Sequence, residues 1–391
     1  MTTVFVPKEV HAGETRVAAT PETVKRMIKR GIKVTVERGA GVASDIIDAA
    51  FEQAGATLVD GSADDWSGAD LVLKVLPPEQ HPTLDKHEVE LLKEGAFLIS
   101  FVFSVTDPEL AQKLQQQGVS AIAMEAVPRI SRAQKMDALS SQANLAGYKA
   151  VLLGANAMGK IMPMMVTAAG TLKPAKTVIM GAGVAGLQAI ATAKRLGAVV
   201  WATDIRPAVK EQVESLGGKF IDVPGVGGGE DAGGYAKALT PEQLKEQQKL
   251  VREHLVDSDL VVTTALVPGR KAPTLIPADV VKDMKPGAVI VDLAVAQGGN
   301  CELSEPGKTV EVNGVKILGE VNMPGLLAAD ASAVYARNVL ALVTDMTDKE
   351  SGEIKLNLED EVYDKALITH EKAVRHGPTQ EAIEKLTASA S

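Results

Sequence analysis

The 391-residue sequence is poor in cysteine, in aromatic side chains and in positive charge. The single cysteine, Cys301, excludes an internal disulfide framework and is typical of a reducing compartment. Aromatic residues make up 3% of the chain, which argues against a surface on which single-stranded nucleic acid stacks. Lys and Arg number 41 against 50 Asp and Glu, so the net charge of −9 repels phosphate backbones on average. We therefore expect no nucleic-acid partner.

Leader sequences and long apolar runs are also missing. The chain begins Met-Thr-Thr-Val-Phe-Val-Pro-Lys-Glu, without a basic stretch followed by an apolar one. The longest run without charge that we find, Thr177–Ala193, has 17 residues and contains three glycines. Because a membrane helix needs about 20 apolar residues, we expect no transmembrane segment in this chain.

Strand-like and helix-like segments alternate in two successive series, which predicts an α/β fold with parallel sheets. The first series of apolar, β-branched runs is Val4–Val6, Lys33–Val36, Leu71–Val75, Phe97–Phe103 and Ala121–Met124. The second series is Thr177–Met180, Val199–Thr203, Leu260–Ala265, Ala288–Leu293 and Val315–Val321. The length and the 46% of hydrophobic residues favour two domains, each with its own core.

The first strand of the second series runs into a glycine fingerprint, Gly181-Ala-Gly183-Val-Ala-Gly186, and an Ala/Leu-rich helix follows. Gly181 permits a tight turn, Gly183 lets a pyrophosphate approach the backbone, and Gly186 lets the helix pack on the strand. The helix N-terminus offers N–H groups to the phosphates. Asp204 ends the next strand and can accept a hydrogen bond from a ribose 2′-hydroxyl, which favours NAD(H) over NADP(H); Arg206 nearby weakens that preference.

A second glycine turn, Gly39-Ala-Gly41-Val-Ala-Ser44, nearly repeats this pattern, with Asp60 downstream. The third glycine is replaced by Ser44, and Asp45 and Asp48 stand near the start of the next helix, where phosphates would be repelled. We interpret this segment as a glycine turn that binds no nucleotide.

These observations predict two Rossmann-like parallel-sheet domains separated by a cleft, with the chain crossing back to the first domain at its C-terminus. Leu139–Gly170 is expected to form a long helix between the domains and then a loop. The late helix Ala331–Val343 is expected to return to the first domain, because the second sheet is already complete. The predicted boundaries are residues 1–145 with 329–391 for the N-terminal domain and 146–328 for the NAD(H)-binding domain.

A polar cluster lies between the two series. Arg129 and Asp137 can pair and hold a loop in shape, and Gln134 offers a donor and an acceptor suited to a nicotinamide carboxamide. The alternative is a solvated loop with a helix cap at Ser140 or Ser141. A glycine-rich stretch at residues 223–235 is either a flexible connection or a lid that carries a tyrosine over a nucleotide.

Groups for acid–base or metal chemistry are scarce. The six histidines have no metal-ligand spacing, so no metal site is predicted. Lys74, at the end of a strand, is a weak candidate for a general base. Cys301 follows Gly298-Gly-Asn, and nothing indicates an activated thiolate.

Several long segments of the sequence resemble a known family. Residues 128–148, beginning Pro-Arg-Ile-Ser-Arg-Ala-Gln, are similar to the signature loop of proton-translocating, Re/Si-specific NAD(P) transhydrogenase. The same holds for 181–198, 210–220, 263–269 and 291–301, and the resemblance covers nearly the whole chain. It points to the NAD(H)-binding first component, in the form of a separate subunit.

The resemblance implies a homodimer that docks on membrane-spanning and NADP(H)-binding subunits, peripheral on the inner face of the cytoplasmic membrane. NAD(H) would be bound here, and NADP(H) would be the second substrate on the partner. The nucleotide loop would comprise Arg129, Gln134, Asp137 and Ser140. The mobile loop would include Gly234 and Tyr235. Contacts on the adenosine side would come from Val184, Asp204, Ile205, Arg206 and Leu266.

The implied reaction moves hydride from C4 of NADH to C4 of NADP⁺, while a separate membrane subunit couples it to proton translocation. Such a transfer needs no general acid or base, which explains the missing histidine. The fold is shared with alanine dehydrogenases, in which a histidine follows the strand corresponding to Phe97–Phe103. Here that histidine is absent, although Arg16 and Lys74 persist. An alanine dehydrogenase-like oxidoreductase and an NAD(H)-binding regulatory subunit remain the alternatives.

Overall fold

The computed structural model describes residues 1–221, 241–266 and 271–390. The chain divides into two compact units, Met1–Gln142 with Gly325–Ser391, and Ala143–Pro324. The predicted return of the chain to its first domain is confirmed, because the C-terminal residues belong to the same unit as the N-terminal ones.

The strands and helices follow the alternation seen in the sequence. In chain order, the strands are β1 (Thr3–Val6), β2 (Lys33–Glu37), β3 (Thr57–Val59), β4 (Leu71–Leu73), β5 (Phe97–Ser100), β6 (Ser120–Ala123), β7 (Met165–Thr167), β8 (Gly170–Leu172), β9 (Lys176–Met180), β10 (Val199–Thr203), β11 (Lys219–Phe220), β12 (Leu260–Thr263), β13 (Val289–Asp292), β14 (Thr309–Val312), β15 (Val315–Leu318), β16 (Leu367–His370) and β17 (Ala373–Val374). The α-helices are α1 (Pro21–Ile28), α2 (Asp48–Gln53), α3 (Ala63–Gly68), α4 (Glu88–Leu91), α5 (Pro108–Gln117), α6 (Ala138–Ala157), α7 (Val184–Arg195), α8 (Lys210–Ser215), α9 (Pro241–Val256), α10 (Ala278–Asp283), α11 (Ala328–Asp345), α12 (Glu361–Ala366) and α13 (Gly377–Ala390).

The first unit is built on one sheet with the strand order β17-β16-β6-β5-β4-β1-β2-β3. Strands β1 to β6 are parallel; β16 pairs antiparallel with β6, and β17 pairs antiparallel with β16. The order reverses between β1 and β4, which is the topological switch point of a Rossmann fold. Apolar side chains cover both faces of this sheet in two clusters, as expected of strands buried on both sides.

The second unit repeats this arrangement with the order β11-β10-β9-β12-β13-β15-β14, parallel except for β14. Its switch point lies between β9 and β12, and clusters of buried apolar residues again cover both faces. Two Rossmann-like parallel-sheet domains were predicted, and the structure confirms this fold class. The loop expected after the long helix contains the hairpin β7–β8.

Among the described residues, one helical span, Pro324–Asp345, is long and apolar enough to cross a membrane by composition alone. Half of its most apolar window is buried inside the protein. Tyr335 and Leu342 of this span are fully buried in the core of the first unit. The core helix of a soluble protein can have the same length and composition, so this span is only weak evidence for a membrane segment.

Candidate nucleotide-binding site

The glycine turn of the second unit follows β9, at the switch point of the sheet. Gly181 has a φ of +100°, a conformation that side-chain-bearing residues rarely adopt. A Cβ on Gly186 would lie 1.8 Å from the Gly181 carbonyl oxygen, so only glycine lets α7 approach the strand this closely. Among the described residues, a Cβ on Gly183 would meet nothing nearer than Arg206 Nη2, at 3.9 Å. The backbone at Gly183 therefore faces open space, which a pyrophosphate can enter.

Helix α7 begins directly after Gly183, and no side chain caps its N-terminus. Its first N–H groups are left for an external acceptor, and the helix dipole places partial positive charge at the same end. The turn and the helix together fit the phosphates of a dinucleotide.

Asp204 stands at the carboxyl end of β10, beside this turn. Its Oδ2 accepts a hydrogen bond from the Ala182 amide at 2.7 Å. Arg206 donates to it through its backbone N–H at 2.8 Å and through its guanidinium at 3.0 Å. Burial alone would raise the pKa of the Asp204 carboxyl, but the hydrogen bonds from Arg206 and Ala182 outweigh it and hold that pKa below its usual range. The acceptor is therefore ionised at neutral pH, and Arg206 turns toward it.

Three apolar side chains at this edge of the sheet are exposed, although large apolar residues usually pack inside. Ile205 is 85% exposed, and Val184 and Leu266 are each more than one-third exposed. All three were predicted from the sequence as adenosine-side residues. They provide an apolar surface suited to an aromatic base.

The loop after β12, which carries Leu266, is held by polar groups that the sequence analysis missed. Thr264 Oγ1 donates to the Gly181 carbonyl at 3.1 Å. Asn300 accepts from the Ala265 amide at 3.0 Å and donates to the Ala265 carbonyl at 2.9 Å. The segment Gly298-Gly-Asn-Cys301, in which the sequence analysis gave Asn300 no role of its own, was the available signal.

Asp292, at the end of β13, holds the segment Gly298–Cys301 in place through hydrogen bonds. It is fully buried and accepts hydrogen bonds at 2.6–3.0 Å from five groups. The donors are Thr263 Oγ1, the backbone amides of Ala294, Asn300 and Cys301, and Ser304 Oγ. A buried carboxylate satisfied in this way fixes the turn that presents Asn300.

The predicted nucleotide loop lies in the first unit and forms a short 3₁₀ helix, Ser131–Met136. Ala133 and Met136 are fully buried and anchor it. Gln134 between them is exposed, and its side chain makes no hydrogen bond to any residue that the structure describes. Its amide is thus available to a ligand.

The expected ion pair between Arg129 and Asp137 does not form within the described residues. Both oxygens of Asp137 are taken by Ser140, through its amide at 2.8 Å and its hydroxyl at 2.6 Å. The physical reason is that Asp137 precedes the first turn of α6, where a carboxylate meets the unpaired N–H groups of a helix start. Arg129 stays exposed.

Gly234 and Tyr235, the predicted mobile-loop residues, lie outside the described residues. The other predicted residues fall into two groups, each within its own unit. Around the carboxyl ends of β9, β10 and β12 are Gly181, Gly183, Val184, Gly186, Asp204, Ile205, Arg206 and Leu266. Between β6 and the first turn of α6 are Arg129, Gln134, Asp137 and Ser140.

Lys74 occupies the switch-point end of the first sheet, but it is not a free base. It is fully buried, and its Nζ lies 3.1 Å from both Glu9 Oε2 and Glu88 Oε1. Burial alone would lower the pKa of the Lys74 ammonium, but the two carboxylates outweigh it and raise that pKa. Lys74 therefore stays protonated at neutral pH and cannot accept a proton.

Arg16 is neutralised in the same way. Its Nη2 lies 2.7 Å from Glu14 Oε2, and its Nη1 donates to Gln142 Oε1 at 2.9 Å. Both Arg16 and Glu14 are buried. The charge of Arg16 is therefore compensated within the protein, and an anionic substrate would have to displace Glu14.

The second glycine turn, Gly39–Ser44, follows β2 and not the central strand β1. A Cβ on Gly41 would lie 2.8 Å from the Ile46 carbonyl and from the Phe51 ring, so the turn is filled by its own chain. This packing supports the interpretation that the segment binds no nucleotide.

The described part of the chain contains neither an activated thiol nor a group of side chains placed to bind a metal ion. Burial raises the pKa of the Cys301 thiol to about 11. No group of three or more His, Cys, Asp or Glu side chains there is arranged to hold a metal ion.

Comparison with known proteins agrees with this geometry. Residues 5–146 match the N-terminal domain of the alanine dehydrogenase/PNT family, and residues 150–377 match its C-terminal domain. This fold and this site define a class of protein: two domains with one dinucleotide-binding fingerprint. The chain belongs to the alanine dehydrogenase/PNT family, and that membership implies NAD(H) binding.

Within that family the chain is more similar to transhydrogenases than to alanine dehydrogenases. It is 50% identical to the first of the alpha-subunit chains of NAD(P) transhydrogenase from Rhodospirillum rubrum, over 95% of this chain and 97% of that protein. The crystal structure of transhydrogenase from Sinorhizobium meliloti matches with a TM-score of 0.85 and 46% identity, over 95% of this chain and 99% of that one. Alanine dehydrogenase of Bacillus subtilis is 32% identical over 82% of this chain and 79% of its own length. The predicted resemblance to the alpha subunit of NAD(P) transhydrogenase is confirmed.

Proposed function

We propose that this chain is the NAD(H)-binding component of a proton-translocating NAD(P) transhydrogenase. In this account it passes a hydride between NADH and NADP⁺ held by a partner subunit, and a separate membrane subunit couples the transfer to proton movement. The observation that carries the proposal is the open glycine turn at the switch point of the second unit, with Asp204 beside it.

Each group of residues has a separate task. Gly183 and the first amides of α7 bind the pyrophosphate, and Asp204 accepts from the ribose hydroxyls. The exposed side chains of Val184, Ile205 and Leu266 support the adenine. Gln134 hydrogen-bonds the nicotinamide carboxamide, and Gly234 and Tyr235 add contacts to the nucleotide. NADH, when bound, supplies the hydride from its C4 carbon.

Lys74 and Arg16 support transhydrogenation over amino-acid oxidation. An amino-acid dehydrogenase needs a proton acceptor and a free cation for the substrate carboxylate. Here Lys74 is held protonated by two carboxylates, and Arg16 is paired with Glu14. Hydride transfer between two nicotinamide rings needs neither group; it needs the rings held in contact, and orientation supplies much of the rate.

We also propose that the protein is a homodimer, docked through its partner subunits on the cytoplasmic face of the membrane. The hairpin β7–β8 supports the dimer, because all its residues are exposed and Val166 is 72% exposed. A two-stranded hairpin is marginally stable in water unless something covers it. Sedimentation is expected to show two copies, and Val166→Lys is expected to weaken the dimer. A parent chain that sediments as a monomer at every concentration would contradict this arrangement.

The test mixes the purified chain with the NADP(H)-binding component and follows reduction of an NAD⁺ analogue of distinct absorbance by NADPH. Transfer that requires both components supports the proposal. NADH formation that depends on L-alanine would support the dehydrogenase alternative. Nucleotide binding without turnover in either assay would support a regulatory subunit.

A further inference from the structure

Asn338, on helix α11 of the first unit, links the 3₁₀ turn of the predicted nucleotide loop to the start of α6. Its side chain is buried, with 8% exposed. Its Nδ2 donates to the Lys135 carbonyl at 2.9 Å, and its Oδ1 accepts from Ser141 Oγ at 2.7 Å. Lys135 is next to Gln134, and Ser141 is next to Ser140. One amide thus joins the 3₁₀ turn to the first turn of α6.

The loop depends on such outside support. A 3₁₀ helix has poor hydrogen-bond geometry and rarely persists on its own. The turn has only two buried anchors, Ala133 and Met136, and Gln134 itself is exposed. A buried amide that both donates and accepts is well suited to fix the turn against the helix, because Asn offers the two functions at a set separation.

The C-terminal part of the chain, which carries Asn338, makes a second set of contacts with the nucleotide loop. The guanidinium of Arg132 pairs with Asp360, and its Nη1 lies 3.7 Å from Asp345 Oδ1. Tyr363 in turn donates to Asp345 Oδ2 at 3.0 Å. The segment after the second unit therefore supplies contacts to residues on both sides of Gln134.

We infer that Asn338 is a positioning residue for hydride transfer. It holds the backbone of Lys135, and through it the side chain of Gln134, in the orientation that the nicotinamide requires. The inference rests on the proposed function. It also predicts that, in the protein without nucleotide, replacing the Asn338 amide makes the nucleotide loop more mobile.

The variant is Asn338→Asp, which keeps the acceptor for Ser141 and loses the donor to Lys135. Single-turnover hydride transfer to the NADP(H)-binding component is expected to slow by about 10- to 100-fold, as for a small misplacement of a reacting group. The dissociation constant of NADH is expected to change by less than about threefold, since the phosphate and ribose contacts are elsewhere. Asn357→Asp is the matched control: Asn357 is exposed and only accepts, from the Glu359 amide.

Two further measurements separate positioning from a general structural effect. In a Gln134→Ala background, Asn338→Asp should add little further loss, because both changes act through the same side chain. In the free protein, hydrogen exchange at the amides of Ala133 and Asp137 should speed up in the variant while the core strands keep their protection. If Asn338→Asp does not fold, Ser141→Ala, which removes the other end of the bridge, replaces it and should act in the same direction.

The outcomes are distinct. If the parent chain transfers no hydride with its partner, the proposed function fails and the role of Asn338 in hydride transfer fails with it, whereas loop exchange still shows whether Asn338 fixes the loop. If the parent is active and the folded variant transfers hydride at the parent rate, the inference is overturned. Unchanged loop exchange, or a full additional loss in the Gln134→Ala background, also overturns it.

Discussion

At the scale of the residue, the proposed preference for NAD(H) depends on the Asp204 carboxylate. The hydrogen bonds from Arg206 and Ala182 keep the pKa of this carboxyl below its usual range, so it is ionised at neutral pH. An ionised carboxylate accepts from ribose hydroxyls and repels a 2′-phosphate. Arg206, bound to it on the same side, offsets part of that repulsion.

Replacing Asp204 with Ala is expected to weaken NADH binding by about tenfold, the loss of one hydrogen bond to a charged group. The change also frees Arg206, so the preference for NADH over NADPH should fall. Asp60→Ala is the control, because Asp60 occupies the equivalent place after the second glycine turn and is largely exposed. Equilibrium titration with both nucleotides measures the effect. Affinities as in the parent for both would refute the ribose assignment.

Cys301 is expected to be unreactive in the folded protein. Burial raises the pKa of its thiol to about 11, so about one molecule in a thousand carries the thiolate at pH 8. Labelling with a thiol reagent should be slow in the native state and fast in denaturant, with one equivalent consumed. Rapid native labelling would show that the turn around Asp292 is open.

At the scale of the element, glycine decides how α7 meets β9. The three glycines of the turn differ in what surrounds them: Gly186 touches the strand, whereas Gly183 faces open space. Their substitutions should therefore separate stability from binding.

Gly186→Ala is expected to destabilise the protein by about 3 kcal/mol through overpacking, with loss of NADH binding as a consequence. Gly183→Ala should keep the parent melting temperature and bind NADH weakly, because its Cβ would occupy space meant for the pyrophosphate. Thermal unfolding and NADH titration on both variants measure this. Equal destabilisation of the two would show that Gly183 is a packing residue.

Most of the elements follow from the sequence, because a buried parallel strand is a short apolar run that local composition reveals. The strands of both predicted series are present. Strand β3 was missed because it is short and only half-buried.

The contacts that shape the site are less visible. Asn338 reaches Lys135, and Asn300 reaches Ala265, across long stretches of chain. No periodicity or motif encodes such pairs; only the tertiary fold brings them together. The failed pairing of Arg129 with Asp137 has a local cause instead, since Ser140, three residues along the chain, satisfies the carboxylate.

At the scale of the whole molecule, the two units share a strand order and differ at the switch point. The second carries the open glycine turn, and the first carries the buried cluster of Lys74, Glu9 and Glu88. The buried side chains of this cluster already pair with one another, which supports the proposal that the phosphates bind to the second unit.

Lys74→Met is expected to cost about 3–5 kcal/mol of stability, because it leaves Glu9 and Glu88 buried without a counter-charge. NADH affinity of the folded protein should change little. Lys93→Met is the matched control: its pair with Asp70 is more than one-third exposed, so the cost should be below about 1 kcal/mol. Equilibrium unfolding in urea distinguishes the two. Equal stabilities would mean that the cluster is solvated.

The central claim is direct transfer of hydride from a nucleotide held by this chain to one held by a partner. Its most direct test uses NADH deuterated at the transferred C4 position, mixed with this chain and the NADP(H)-binding component loaded with NADP⁺. The account predicts deuterium at C4 of the NADPH formed, with none lost to solvent and no transfer when either component is omitted. Label that appears in water, or NADPH formed without deuterium, would contradict it.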